Sequence, residues 1–121
     1  MTYSNDLMYN RKKGSGAEHT LNTQTIRHMV IFDLKHPEHS QEAATFLEDG
    51  RSILSAIPTV TNFVACRQVS VKNDYTYGFT MDFSDQAAYD AYNNHPSHVA
   101  FVEERWKTEV ERFLEIDFQL A

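Results

Sequence analysis

At 121 residues, with 41% hydrophobic and 12% aromatic content, the chain is long enough for one folded domain that buries about 65% of its unfolded surface. Eleven basic against 17 acidic residues give a net charge of -6, with no basic stripe beyond Arg11-Lys12-Lys13, which argues against nucleic acid as a partner. The single Cys66 rules out an internal disulfide and a thiolate metal site, and neither a secretory leader nor an apolar run of about 20 residues is found, so the expectation is a cytoplasmic protein with no membrane partner.

Residues 1–25 are polar and lack a hydrophobic period, and they are taken as an N-terminal extension ahead of a domain over 26–121. Leu7, Met8 and Tyr9 form its one apolar cluster, suited to docking on the domain or on a second copy; a loosely held tail is the plainer reading. From Ile26 the pattern alternates strictly, with His28, Val30, Phe32 and Leu34 on one face and Arg27, Met29 and Ile31 on the other, which predicts a strand. After Pro37, apolar residues at intervals of three and four predict a helix over 39–56, its stripe interrupted by Gly50. Val60 to Val71 is β-branched and alternating, Lys72-Asn73-Asp74 signals a turn, and Tyr75 to Phe83 alternates again, so these two strands form a hairpin.

Ser84 is the expected N-cap of a second helical region carrying Ala88, Ala91, Tyr92 and His95, broken near Pro96. Val99, Val102, Trp106, Val110 and Phe113 extend one buried face beyond that break. A last strand over 113–120 places Leu114, Ile116, Phe118 and Leu120 on one side. The order β-α-β-β-α-β predicts an α+β, ferredoxin-like half-barrel, a four-stranded antiparallel sheet with both helices on one face. Two helices leave the other face open. Met29 and Ile31 on the first strand, and Phe63 and Ala65 set against Val60 and Val64 on the second, make both faces apolar. A homodimer packed through the open sheet face follows as the expectation.

Polar chemistry concentrates between Tyr92 and His98. Pro96 suits the first position of a helix, which places His98 in a first turn whose unpaired N–H groups disfavour imidazolium. A neutral imidazole near a phenol is what a general base needs; a helix cap with a packed histidine fits the same residues. His36 and His39 flank Pro37, but neither they nor His95 and His98 have carboxylates at helical spacing, so no metal is expected. Glu103-Glu104 and Glu109 with Glu111 look like a solvated helix face. No phosphate loop, nucleophile elbow or dinucleotide fingerprint occurs, and no cofactor is expected.

Arg27-His28-Met29-Val30-Ile31-Phe32, Ile57-Pro58, Arg67-Gln68-Val69-Ser70, and Tyr92 with His95-Pro96-Ser97-His98 and Phe101-Val102 together resemble the stress-responsive dimeric α/β barrel (Dabb) family over Ile26 to Phe118. The resemblance implies a ferredoxin-like half-barrel that dimerises through its sheet. Some members are plant polyketide cyclases, and by that pattern His98 is the general base, Tyr92 orients it and His28 binds a substrate oxygen. His95, Phe32 and Trp106 are candidate ligand-binding neighbours. A cavity tyrosine of those cyclases falls at or near Gly50, so this pocket would differ in shape. Some members also hold a cation on backbone carbonyls, here near Leu54, Ile57 and Val60. Three functions stay open: a cofactor-independent cyclase or lyase acting on a small apolar carbonyl compound, a non-catalytic dimer that binds a ligand or acts in stress response, and a cofactor-independent monooxygenase of the related dimeric barrel type.

Overall fold

Alternation and helical spacing along the chain resolve into one antiparallel sheet with helices on one side. The computed structural model describes residues 22–121. The order is β1 (Ile26–Leu34), α1 (Gln41–Ser55), β2 (Thr61–Arg67), β3 (Tyr77–Phe83), α2 (Gln86–Asn94), α3 (Pro96–Phe101), a π-helical segment (Val102–Trp106), a last helical turn (Lys107–Glu109) and β4 (Val110–Phe118). The strands lie in the order β2-β3-β1-β4, every pair antiparallel, which is the ferredoxin-like arrangement. No helix among the described residues is long and apolar enough to cross a membrane. The Leu7, Met8 and Tyr9 cluster lies outside the described residues.

β1 is central, and its buried residues alternate as the sequence requires. Phe32, Phe46, Phe79, Phe83 and Met81 are the largest fully buried side chains, and they sit between the sheet and the helices. Ser40 caps α1 by accepting from the Ala43 N–H. Gly50 lies on the buried face of that helix: a Cβ there would come within 2.6 Å of the Phe79 ring and 3.3 Å of Phe101, so its lack of a side chain is what lets α1 approach the sheet. No tyrosine fits at that position.

Several local expectations are corrected. α2 is capped by Asp85, not Ser84; Asp85 accepts from the Ala88 N–H at 2.8 Å. The strand expected over 60–71 ends at Arg67, and Val69 and Val71 are 82% and 97% exposed in a long loop. That loop is tied down by Arg112, which bridges Asp33 and Asp74 and lies 4.1 Å over the Tyr75 ring. The buried stripe Val99-Val102-Trp106-Val110-Phe113 is broken: Val99 is exposed, Phe101 takes its place in the core, and Val110 already begins β4. Glu109 is no solvated residue. It accepts from Arg105 and pairs with His36 at 2.8 Å, while Arg105 also reaches Asp49 on α1.

The faces of β2 are the most consequential correction. Asn62, at φ 56, forms a bulge, so the register slips between Thr61 and Val64. One inserted residue inverts the alternation, so Val60 and Phe63 both face the core and Val64 turns to the open side. Phe63 packs 5.2 Å from Phe79. The open face is therefore Met29, Ile31, Val64, Leu114, Ile116 and Phe118, the last half-exposed.

Candidate functional site

The helix-covered side of the sheet contains a cavity of about 250 Å³. Its floor is His28 and Val30 of β1, Phe79 and Met81 of β3, and Phe113 and Glu115 of β4. Its roof is Tyr92, Asn93, His98, Phe101, Val102 and Trp106, and Leu54 closes one end. The volume falls below the range of about 300–1,000 Å³ of drug-sized pockets, so an occupant is small. The sequence supplies this space through α3 and the π-helical segment: the wide turn at Val102–Trp106 places both end residues on the cavity wall.

His98 sits in the first turn of α3, its ring centroid 4.3 Å from that of Tyr92 with the two planes tilted by 46°. Its Nδ1 lies 3.1 Å from the Asn93 carbonyl, an atom that only accepts, so Nδ1 carries the hydrogen and Nε2 keeps a lone pair. Burial holds its pKa below the ordinary imidazole value, and the nearby His28 adds to that; the Asn93 carbonyl and Glu115 act in the opposite sense. His98 is thus a neutral base near pH 7. Tyr92 is almost completely buried and its pKa is raised, mainly by burial and then by the charge of Glu115, so it remains a phenol that can donate a proton.

His28 reaches the same cavity from β1, its ring 6.4 Å from Tyr92. Its Nδ1 lies 2.6 Å from Asp117 Oδ1 and 3.0 Å from the Tyr89 hydroxyl, and that hydroxyl donates to Asp117 in turn. His28, Tyr92 and His98 thus line one cavity. Trp106 is also on the wall, 5.6 Å from Phe113.

Two of the expected ligand-binding residues are not in the lining. His95 is used as the cap of α3, its Nδ1 accepting from the Ser97 N–H at 3.1 Å. Phe32 is fully buried and stands behind the cavity wall, packed at 4.9 Å against both Trp106 and Phe79. The carbonyls of Leu54 and Ile57 accept from the Ile57 and Val60 N–H groups. Among the described residues, no three His, Cys, Asp or Glu side chains are grouped to hold a metal.

A family model for the stress responsive A/B barrel domain, Dabb, matches residues 26–120. The chain belongs to the Dabb family. A Dabb family protein with a ferredoxin-like fold from Mesorhizobium loti is 57% identical, at a TM-score of 0.80, with 81% of this chain and 98% of that one covered. The hydroxynitrile lyase of Passiflora edulis is 14% identical, with a TM-score of 0.70 and 83% and 96% covered. A dimeric ferredoxin-like protein of unknown function from Thermobifida fusca is 18% identical, with a TM-score of 0.68 and 84% and 95% covered. At such identities the last two share the fold alone. No curated protein matches the chain.

Within this Dabb domain, sequence reasoning passed over Asp117, Tyr89 and Glu115. One signal was present. On β4, Glu115 and Asp117 alternate with Leu114, Ile116 and Phe118, so they occupy the face opposite those apolar residues, which is the helix-covered one. Asp117 lies directly across the ladder from His28. That register, joining residues 89 positions apart, could not be read from periodicity.

Proposed function

We propose that the cavity is a general-base site acting on a small, largely apolar carbonyl compound, in lyase or cyclase chemistry that uses no bound cofactor. The observation that carries this reading is His98: Nδ1 donates to the Asn93 carbonyl, leaving Nε2 as a base on the wall of an apolar cavity beside the Tyr92 phenol. With a substrate seated there, Nε2 removes a proton from carbon next to the carbonyl. The charge that develops on the carbonyl oxygen is met by the Tyr92 hydroxyl and by His28. Proton transfer to a positioned base is worth about 10²–10⁴ in rate. Cleavage of a cyanohydrin, the reaction the Passiflora lyase is named for, also needs a base to take a hydroxyl proton, so cyanohydrins belong among the test substrates.

The test is deuterium exchange at the α-carbon of a panel of small alkyl and aryl ketones and 1,3-diketones, with aldehyde release from cyanohydrins as a second arm. Wild type should exceed buffer, and His98→Gln should lose about 10²–10⁴ of that rate while still binding ligand. Binding without exchange or aldehyde release would leave a non-catalytic carrier. Neither binding nor turnover would remove the reading altogether.

The assembly reading is a homodimer closed through the open sheet face. Met29, Ile31, Leu114, Ile116 and Phe118 adjoin on that face and Val64 lies beyond Thr80 of β3, with Val64, Leu114 and Phe118 each about half exposed in the single chain. Surfaces of this kind on soluble chains are covered by a partner.

A further inference from the structure

His28 is the more elaborately held of the two cavity histidines, and its partners have no role so far. Its ring is buried, 5% exposed, at the centre of the sheet. Nδ1 faces the Asp117 carboxylate at 2.6 Å, and the Tyr89 hydroxyl contacts both carboxylate oxygens, at 3.2 and 3.0 Å. Tyr89 is itself buried and stacked on Phe83 at 4.8 Å with an angle of 9° between the rings, so its hydroxyl has a fixed position. A carboxylate only accepts, so the hydrogen on this edge of the imidazole belongs to Nδ1. Nε2 has no hydrogen-bond partner among the described residues, and His28 lines the cavity.

Resting on the general-base reading, we propose that Asp117 and Tyr89 are positioning residues that lock His28 in the Nδ1–H form, so that it meets a ligand only through Nε2. The neutral ring then accepts a hydrogen bond at Nε2 from a hydroxyl of the ligand. The protonated ring donates from the same atom to a carbonyl or enolate oxygen, and on giving up that proton it returns to the Nδ1–H form. No hydrogen leaves Nδ1 at any stage. The two imidazoles are thereby given different tasks: His98 is tied to a backbone carbonyl, and His28 to a side-chain carboxylate that a second side chain holds in place. The ligand class is narrowed to carbonyl compounds carrying their oxygen, or a neighbouring hydroxyl, toward β1.

The test uses the full chain labelled with ¹⁵N-histidine and long-range ¹H–¹⁵N correlations, which report the tautomer of each ring. Wild-type His28 should carry its hydrogen on Nδ1. In Asp117→Ala the freed Tyr89 hydroxyl donates to Nδ1, and the hydrogen should move to Nε2; Asp117→Asn, which keeps an acceptor oxygen, should restore the Nδ1–H form. His98 should be unchanged in both. On a ketone that undergoes exchange, Asp117→Ala should lower kcat by about 10–100-fold with KM little altered, an effect of the size that follows loss of the outer carboxylate partner of a metal-bound histidine. Hydrogen found on Nε2 of wild-type His28, or left on Nδ1 in Asp117→Ala, would overturn the proposal even if His98-dependent exchange were found. The expected tautomers without exchange on any compound would support the lock and remove the general-base reading.

Discussion

His98 and Tyr92 show at single-residue scale how burial assigns chemistry. The same desolvation pushes the imidazole toward its neutral form and the phenol toward its protonated form, which gives a base and a hydrogen-bond donor on rings whose centroids lie 4.3 Å apart; the charge of Glu115 acts to a lesser degree on both. A pH dependence follows. The reactive form of His98 is the neutral one, and its pKa lies below 6.5, so the exchange rate should rise with pH through a midpoint under that value and be level by about pH 7.5. Stability carries the same sign: between the lowered value and 6.5 the unfolded chain binds more protons than the folded one, so the contribution of this site is full above 6.5 and lost as pH falls. Compared with His98→Gln, which has no titration there, wild type should lose melting temperature between pH 7.5 and 5. A constant difference across that range would mean that burial does not disfavour charge on His98.

Among the elements, α1 and β2 are the two whose fine structure positions the cavity. Gly50 costs α1 about 1 kcal/mol of helix propensity relative to alanine, yet a Cβ there would sit 2.6 Å from Phe79 Cζ. That ring is 1% exposed and packed against Phe32, Phe46 and Phe63, so displacing it disturbs all three contacts. Gly50→Ala should therefore destabilise the fold by about 1–3 kcal/mol, the overpacking cost, in spite of its better propensity; thermal or denaturant unfolding decides the sign. Apolar spacing marked Gly50 as an interruption of the stripe, and only the distance to Phe79 shows that it is the contact point of the stripe. The bulge at Asn62 is similar. Alternation from Phe63 to Arg67 was legible, but which side faced the helices was not, because one residue with positive φ reverses every side chain after it.

For the whole molecule, the corrected faces make the assembly testable. Leu114→Glu or Met29→Glu places a charge on the open sheet face and should shift the chain to monomer in sedimentation while leaving it folded. Phe63→Glu should behave differently, because Phe63 packs against the core and its replacement unfolds the chain without producing a folded monomer. A wild type that sediments as a monomer at micromolar concentration would remove the dimer. The order of elements, the ferredoxin-like class, the inward faces of β1 and the cluster of Tyr92 and His98 were all determined by the sequence alone. Each rests on local periods of two and 3.6 residues, or on neighbours within seven residues of sequence. Tertiary structure decided the rest: that Phe63 faces inward, that His95 is spent as a cap while Trp106 reaches the wall, and that Asp117 and Tyr89 hold His28. Those outcomes depend on strand register, on one bulge and on contacts between residues 61 and 89 positions apart, and such distances leave no period in a sequence.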